Sequence, residues 1–169
     1  MKKEKVKLIG KPLKVELEDP AMVIEWPRTL VHHHTYGQLS KFFEGLKQGK
    51  LFATLCVNPD CLEKKLWLPP RADCPDCNQP MEWRELPQPV IGEIYTFTRV
   101  EYPGEGIELS TPYWQIDVKI PGLCTIPKGY LLYGEPHIGM KVKAGFRTKK
   151  PTNTILDLYW IPLEKKLKK

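Results

Sequence analysis

The chain has 169 residues, 41% hydrophobic and 27% charged, with a net charge of +6 and a pI near 9.0. That length holds one compact domain, or one domain and a small module, and excludes two full-sized domains. No apolar run approaches the roughly 20 residues that span a bilayer, and Met1-Lys2-Lys3-Glu4-Lys5 has no apolar stretch behind it, so neither a membrane span nor a secretory signal is expected and the chain reads as cytoplasmic.

Residues 1–34 form an N-terminal extension. Lys2, Lys3, Lys5, Lys7, Lys11 and Lys14 crowd its start, and Pro12, Pro20 and Pro27 break any long element. Val15, Leu17, Met22, Val23, Ile24 and Trp26 keep it from being compositionally disordered. It is therefore expected to pack on something, a partner chain included. His32, His33 and His34 close the extension. Adjacent side chains do not converge on one face, so they read as partly exposed polar residues rather than metal ligands.

An amphipathic helix is predicted over 35–49. Thr35 is a good N-cap, Gln38 completes a capping box, and Gly49 is a natural stop. Tyr36, Leu39, Phe42, Phe43 and Leu46 recur near a period of 3.6. This stripe is more aromatic than a small domain needs. Tyr36, Phe42 and Phe43 are therefore candidate partner-binding residues, the alternative being that all three pack on the rest of the chain.

Residues 50–88 hold a cysteine-rich module. Strands are predicted over 51–55 and 82–86, with 67–71 as an extended link because each proline pushes its predecessor toward extended geometry. From 89 to 169 the pattern is all-β and ends in Lys165, Lys166, Lys168 and Lys169. Alternating, β-favouring segments occur at 92–100, 113–120, 129–134, 141–147 and 155–161. Five short strands in this span suit a small closed barrel of the OB type. The basic ends read either as solvated tails or as sites for an anionic partner: nucleic acid, a phosphorylated cofactor or an acidic protein surface.

Of five cysteines, four are clustered: Cys56-x4-Cys61, twelve residues, then Cys74-x2-Cys77. An odd count in a cytosolic setting argues against a disulfide framework. Two close pairs are the signature of a zinc ribbon, in which facing knuckles give a tetrahedral shell of soft ligands. Four thiolates leave no position for water, so the zinc is expected to be structural and to carry much of the local folding energy. The first knuckle is two residues longer than the usual C-x2-C. Cys124 stands apart and reads as a core cysteine, with no base nearby in sequence to make it a nucleophile.

The order of aromatic helix, zinc ribbon and small barrel resembles a family of small proteins that pair a rubredoxin-like zinc ribbon with an OB-fold, long known only as a domain of unknown function. The resembling stretches are Tyr36 to Leu46, Gly49-Lys50-Leu51, Pro69-Pro70-Arg71-Ala72-Asp73-Cys74-Pro75-Asp76-Cys77, Ile94 to Thr98 and Ile138 to Val142. The long first knuckle and the N-terminal extension depart from its shortest members. The resemblance implies a non-catalytic partner of an acyl-CoA thiolase. The thiolase supplies the nucleophilic cysteine and the histidines, and the small protein holds the assembly together near the coenzyme A channel. In archaea such a complex joins a thiolase and 3-hydroxy-3-methylglutaryl-CoA synthase. In bacteria a similar subunit accompanies the thiolase for benzoylsuccinyl-CoA in anaerobic toluene breakdown, and the extended N-terminus is more like that kind.

Beside the resemblance, Lys41, Lys50, Lys141, Lys143 and Arg147 read either as contacts for coenzyme A phosphates or as a solvated face. Two other functional classes stay open. A single-stranded nucleic-acid-binding OB protein would stack bases on aromatics such as Tyr95, Phe97, Tyr113 and Trp114. An enzyme in its own right would need an acid–base pair or activated nucleophile, and none emerges from the sequence.

Overall fold

The structure is a computed structural model that describes residues 11–28, 30–61, 65–102, 104 and 107–163. It is mostly β, with one short α-helix, and divides into two compact units between His34 and Thr35. Among the described residues no helix is long and apolar enough to cross a membrane.

The first unit is a β-hairpin. Strand β1 (Lys14–Glu18) pairs antiparallel with β2 (Ala21–Glu25) around Asp19 and Pro20. Lys14-Val15-Glu16-Leu17 alternates with the period of a strand. Pro20 breaks nothing, because it sits in the turn, where no N–H is owed to a ladder. His32, His33 and His34 are exposed, the rings of His32 and His34 stacking at 5.7 Å.

The second unit opens with a 3-10 turn, Gly37–Leu39, leading into α1 (Ser40–Lys47). The regular helix is thus shorter than the predicted 35–49. Gly37 has φ +54°, a left-handed conformation that a continuous α-helix starting at 35 cannot contain. Thr35 still accepts the Gly37 N–H at 3.0 Å, but it closes a local turn rather than a capping box. The far end is as expected. Gly49 has φ +74°, its N–H donates to Leu46 O at 3.1 Å, and the Lys50 N–H donates to Gly45 O at 2.9 Å, the paired closure of a Schellman motif.

Next comes a three-stranded antiparallel sheet. Central β3 (Phe52–Leu55) lies between β4 (Leu66–Trp67) and β5 (Glu82–Glu85). The expected link at 67–71 therefore begins as a strand, with Trp67 opposite Thr54. The rest is a closed barrel of β6 (Ile91–Val100), β7 (Tyr113–Lys119), β8 (Lys128–Leu131), β9 (Lys141–Phe146) and β10 (Leu158–Pro162), ordered β10-β8-β7-β6-β9. β10 runs parallel to β8 and the other neighbours are antiparallel. This is the OB-fold arrangement. β6 serves two neighbours, pairing with β9 at its start and β7 along its length, and a bulge between Ile94 and Thr96 bends it to do so. The bulged residue, Tyr95, is exposed.

Ile94, Ile116, Val118, Val142 and Trp160 are fully buried inside the barrel. The last strand begins later than predicted, after a 3-10 turn at Ile155–Asp157. There the buried Asp157 carboxylate accepts from the Thr152 N–H at 2.6 Å, the Thr152 hydroxyl at 2.9 Å and the Asn153 N–H at 2.9 Å. A buried carboxylate requires such donors. The barrel core continues into Leu51, Ala53, Leu68 and Leu86 of the ribbon and Phe42 and Leu46 of α1.

A hydrogen-bonded seam ties ribbon to barrel. Leu66 bridges Leu123, the Cys124 N–H donates to Leu66 O at 3.0 Å, and the Leu68 N–H donates to Thr125 Oγ1 at 3.2 Å. Cys124 is thus not a core cysteine. It is exposed in the β7–β8 connection, its backbone held in this seam and its Sγ donating to Leu66 O at 3.1 Å. The Pro121-Gly122 turn carries the chain off the barrel before Cys124 is reached.

Candidate metal centre

Cys56 follows β3 and begins the first knuckle. Asn58 shapes it: its side-chain Oδ1 accepts the Asp60 N–H at 3.1 Å and its carbonyl accepts the Cys61 N–H at 3.2 Å, so four intervening residues turn sharply enough to return a second sulfur. The second knuckle is a tighter hairpin. Asp73 bridges Pro80, the Cys74 N–H donates to Gln79 O at 2.9 Å, and the Asn78 N–H donates to Cys74 O at 2.8 Å. Asn78 takes the left-handed turn position with φ +55°, which asparagine tolerates better than most residues.

The two knuckles face each other. All four sulfurs lie within 4.8 Å of one another. Cys56 and Cys77 are 3.6 Å apart, and Cys61 and Cys74 are 3.9 Å apart. A tetrahedral thiolate site with metal–sulfur bonds of about 2.3 Å requires sulfurs about 3.8 Å apart, and these two edges bracket that value. Disulfide bonds, at about 2.05 Å, are excluded by the same distances. The donor set therefore fits one tetrahedral metal ion. Cys56, Cys61 and Cys74 are buried and Cys77 is partly so, with Met81 and Trp67 packed against them. The Arg71 guanidinium lies over the Trp67 ring at 4.8 Å.

The electrostatics divide the cluster. Burial pushes the Cys56 thiol up to about 12, aided by the neighbouring thiols and opposed by a backbone hydrogen bond from Asn58. Cys77 is lowered to about 7, chiefly by a hydrogen bond from the Asn58 side chain and next by one from the Gln79 backbone. In both knuckles a backbone N–H two residues beyond a cysteine points at its sulfur, an arrangement that stabilises thiolate.

The three aromatic candidates do not share one environment. Phe42 is 3% exposed and sits in the core, so its side chain offers almost no outer surface. Phe43 is partly buried against that core, and Tyr36, 47% exposed, stacks on it with ring centroids 3.6 Å apart. The Tyr36 hydroxyl donates to Asn153 O at 2.8 Å. Most of the basic candidates already have partners within the chain. Lys41 lies 5.1 Å from the Phe52 ring, Lys50 pairs with Glu85 at 3.1 Å, Lys141 with Glu93 at 2.6 Å, and Arg147 donates to the Tyr130 hydroxyl at 3.4 Å.

No protein-family model matches the sequence, nor does any curated protein sequence. Solved structures do share its fold. A chain of the Ltp2-ChsH2(DUF35) aldolase superposes with a TM-score of 0.59 at 22% identity, over 78% of this chain and 98% of that one. A protein of unknown function from the DUF35 family of Sulfolobus solfataricus superposes with a TM-score of 0.54 at 22% identity, over 75% of this chain and 86% of that one. At this identity the likeness is one of fold.

The cysteine spacing alone points to the four sulfurs that the structure brings together. It does not point to Asn58, Trp67 or Met81, which surround them. Asn58 had a signal, an asparagine two residues after a ligand and just before a proline. Backbone donors such as the Gln79 N–H have none, because every residue type offers them.

Proposed function

We propose that this chain is a non-catalytic, zinc-binding subunit that assembles with a thiolase-type acyl-CoA acyltransferase. The closed four-sulfur centre carries the reading. It has the spacing of a tetrahedral thiolate shell and leaves no ligand position for substrate or water, so it organises structure rather than chemistry. Zinc is favoured because a four-thiolate tetrahedron suits either zinc or iron, and a role without redox chemistry needs only the former. The ribbon is locked to an OB barrel, an architecture shared with DUF35 proteins, one of them a chain of an aldolase. Within this reading the substrate is a β-ketoacyl-CoA, with benzoylsuccinyl-CoA the candidate that the N-terminal extension favours. The subunit shapes the coenzyme A channel of its partner. A scaffold between an acetoacetyl-CoA thiolase and 3-hydroxy-3-methylglutaryl-CoA synthase is the variant of the same reading.

Purification from the native host with mass spectrometry of the bound chains tests it. A thiolase-type chain in stoichiometric amount is expected, together with one zinc per subunit by elemental analysis. Recovery of the chain alone, or with iron, would count against it. Cys74→Ser is expected to lose the metal and unfold the ribbon; a folded, zinc-loaded variant contradicts the ligand assignment.

One observation favours a second reading. A cleft of about 490 Å³ beside β7 and β8 is lined by Tyr113, Trp114, Tyr130, Tyr133 and Arg147, on the face by which OB-folds bind oligonucleotides. Salt-sensitive binding of single-stranded oligonucleotide would establish it, and no binding at low salt would end it.

A further inference from the structure

We propose that the β1–β2 hairpin is a docking arm that lays its apolar face into an uncharged apolar groove on the catalytic partner subunit. This rests on the reading above, in which such a partner exists. The register sorts the side chains by face. Val15 lies opposite Ile24 and Leu17 opposite Met22, so these four share one face, and Trp26 continues the alternation just beyond β2. On the other face Lys14 lies opposite Glu25 and Glu16 opposite Val23. That face satisfies itself, with Lys14 pairing to Glu16 at 3.0 Å and to Glu25 at 3.6 Å. It is built to face water.

The apolar face is not. Leu17 is 83% exposed and Trp26 66% exposed, and among the described residues of this unit none is buried. By itself a two-stranded hairpin is marginal in water at best. The occupant's chemistry follows. The face carries no charge, so a charged group pressed against it would be desolvated and unpaired. The matching surface is apolar and neutral, and Trp26 is the residue type that anchors such contacts.

Area argues against a second copy of the arm as the occupant. Two five-residue strands give a face of roughly 17 by 10 Å. Two such faces stacked together fall well short of the roughly 1,200 Å² that a stable, specific interface buries. As an extension of a larger interface the same face is sufficient, which points to the larger partner subunit as the occupant.

The test uses the full chain and its purified thiolase-type partner. Leu17→Thr, Met22→Thr and Trp26→Thr together remove the apolar anchors while keeping strand propensity. Binding to the partner is expected to weaken at least tenfold, with zinc content and barrel signal unchanged. The opposite-face control, Glu16→Thr with Glu25→Thr, is expected to bind as wild type. Amides of β1 and β2 are expected to gain exchange protection only when the partner is added. Equal affinity of the apolar-face variant overturns the arm and leaves the subunit reading intact. Protection in the isolated chain, with a dimer that the same variant dissolves, overturns it in favour of a second copy. A wild-type chain that binds no thiolase-type partner overturns the subunit reading and the arm with it.

Discussion

Cys56 and Cys77 face each other across 3.6 Å, yet burial pushes one thiol to about 12 while Asn58 helps to bring the other to about 7. At neutral pH and without metal, Cys56 holds its proton and Cys77 is about half ionised. A metal binds thiolates only, so loading must expel every proton the four sulfurs still hold, that of Cys56 among them. Metal affinity therefore rises with pH. Below pH 7 the proton of Cys77 adds to the competition. The apparent affinity for zinc is expected to change by at least tenfold per pH unit between pH 6 and 7. Competition against a chromophoric chelator at several pH values measures this, and calorimetry in two buffers of different ionisation heat counts the released protons. An affinity flat across that range would show that the sulfurs are ionised before the metal arrives. Asn58→Ala removes the side-chain donor to Cys77 and is expected to weaken binding near neutrality.

At the scale of elements, α1 shows how one aromatic stripe splits into core and surface. Phe42 fills the junction of helix, ribbon and barrel, so Phe42→Ala is expected to cost about 3–5 kcal/mol through lost burial and a cavity. Tyr36→Ala loses one hydrogen bond and a stacked ring, with an expected cost of about 1 kcal/mol. Urea midpoints of the two variants decide the matter; a Phe42→Ala protein as stable as wild type would show that this side chain does not hold the junction together. The sequence could not make this division, because a period of 3.6 shows that residues share a face and not what covers it. Long alternating strands were legible: β6, β7 and β9 lie within a residue or two of their predicted bounds. β4 was not, since two residues have no period and their pairing is imposed by β3. The β1–β2 hairpin was legible in principle. Lys14 to Leu17 alternates up to the Asp19-Pro20 turn, but Pro12, Pro20 and Pro27 taken alone signal only breaks.

Across the whole molecule, stability is divided unevenly between two buried clusters. The barrel cluster, with Ile94, Ile116, Val118, Val142 and Trp160, is ordinary apolar core. The ribbon cluster consists of Cys56, Cys61, Cys74 and Met81, so most of its buried residues are the candidate ligands. Without metal it places thiols where a core should be, and bound zinc in comparable sites supplies on the order of 10 kcal/mol. The two clusters meet at β3, where Ala53 belongs to the barrel-side core while Cys56, just beyond the strand, belongs to the metal centre. Chelation is therefore expected to unfold the chain in part. Amides between Cys56 and Met81 should lose exchange protection, while those of β6, β7 and β9 keep it, because the barrel ladder closes on itself. The seam at Leu66–Leu123 and Leu68–Thr125 should open with the ribbon, breaking the hydrogen bond from the already exposed Cys124 Sγ to Leu66 O, so that Cys124 is alkylated faster than in the metal-loaded protein. Hydrogen exchange with and without chelator, paired with thiol labelling, separates the outcomes. Simultaneous loss of protection in ribbon and barrel would mean that β3 transmits the metal's contribution to the entire core and that the protein folds as a single metal-dependent unit.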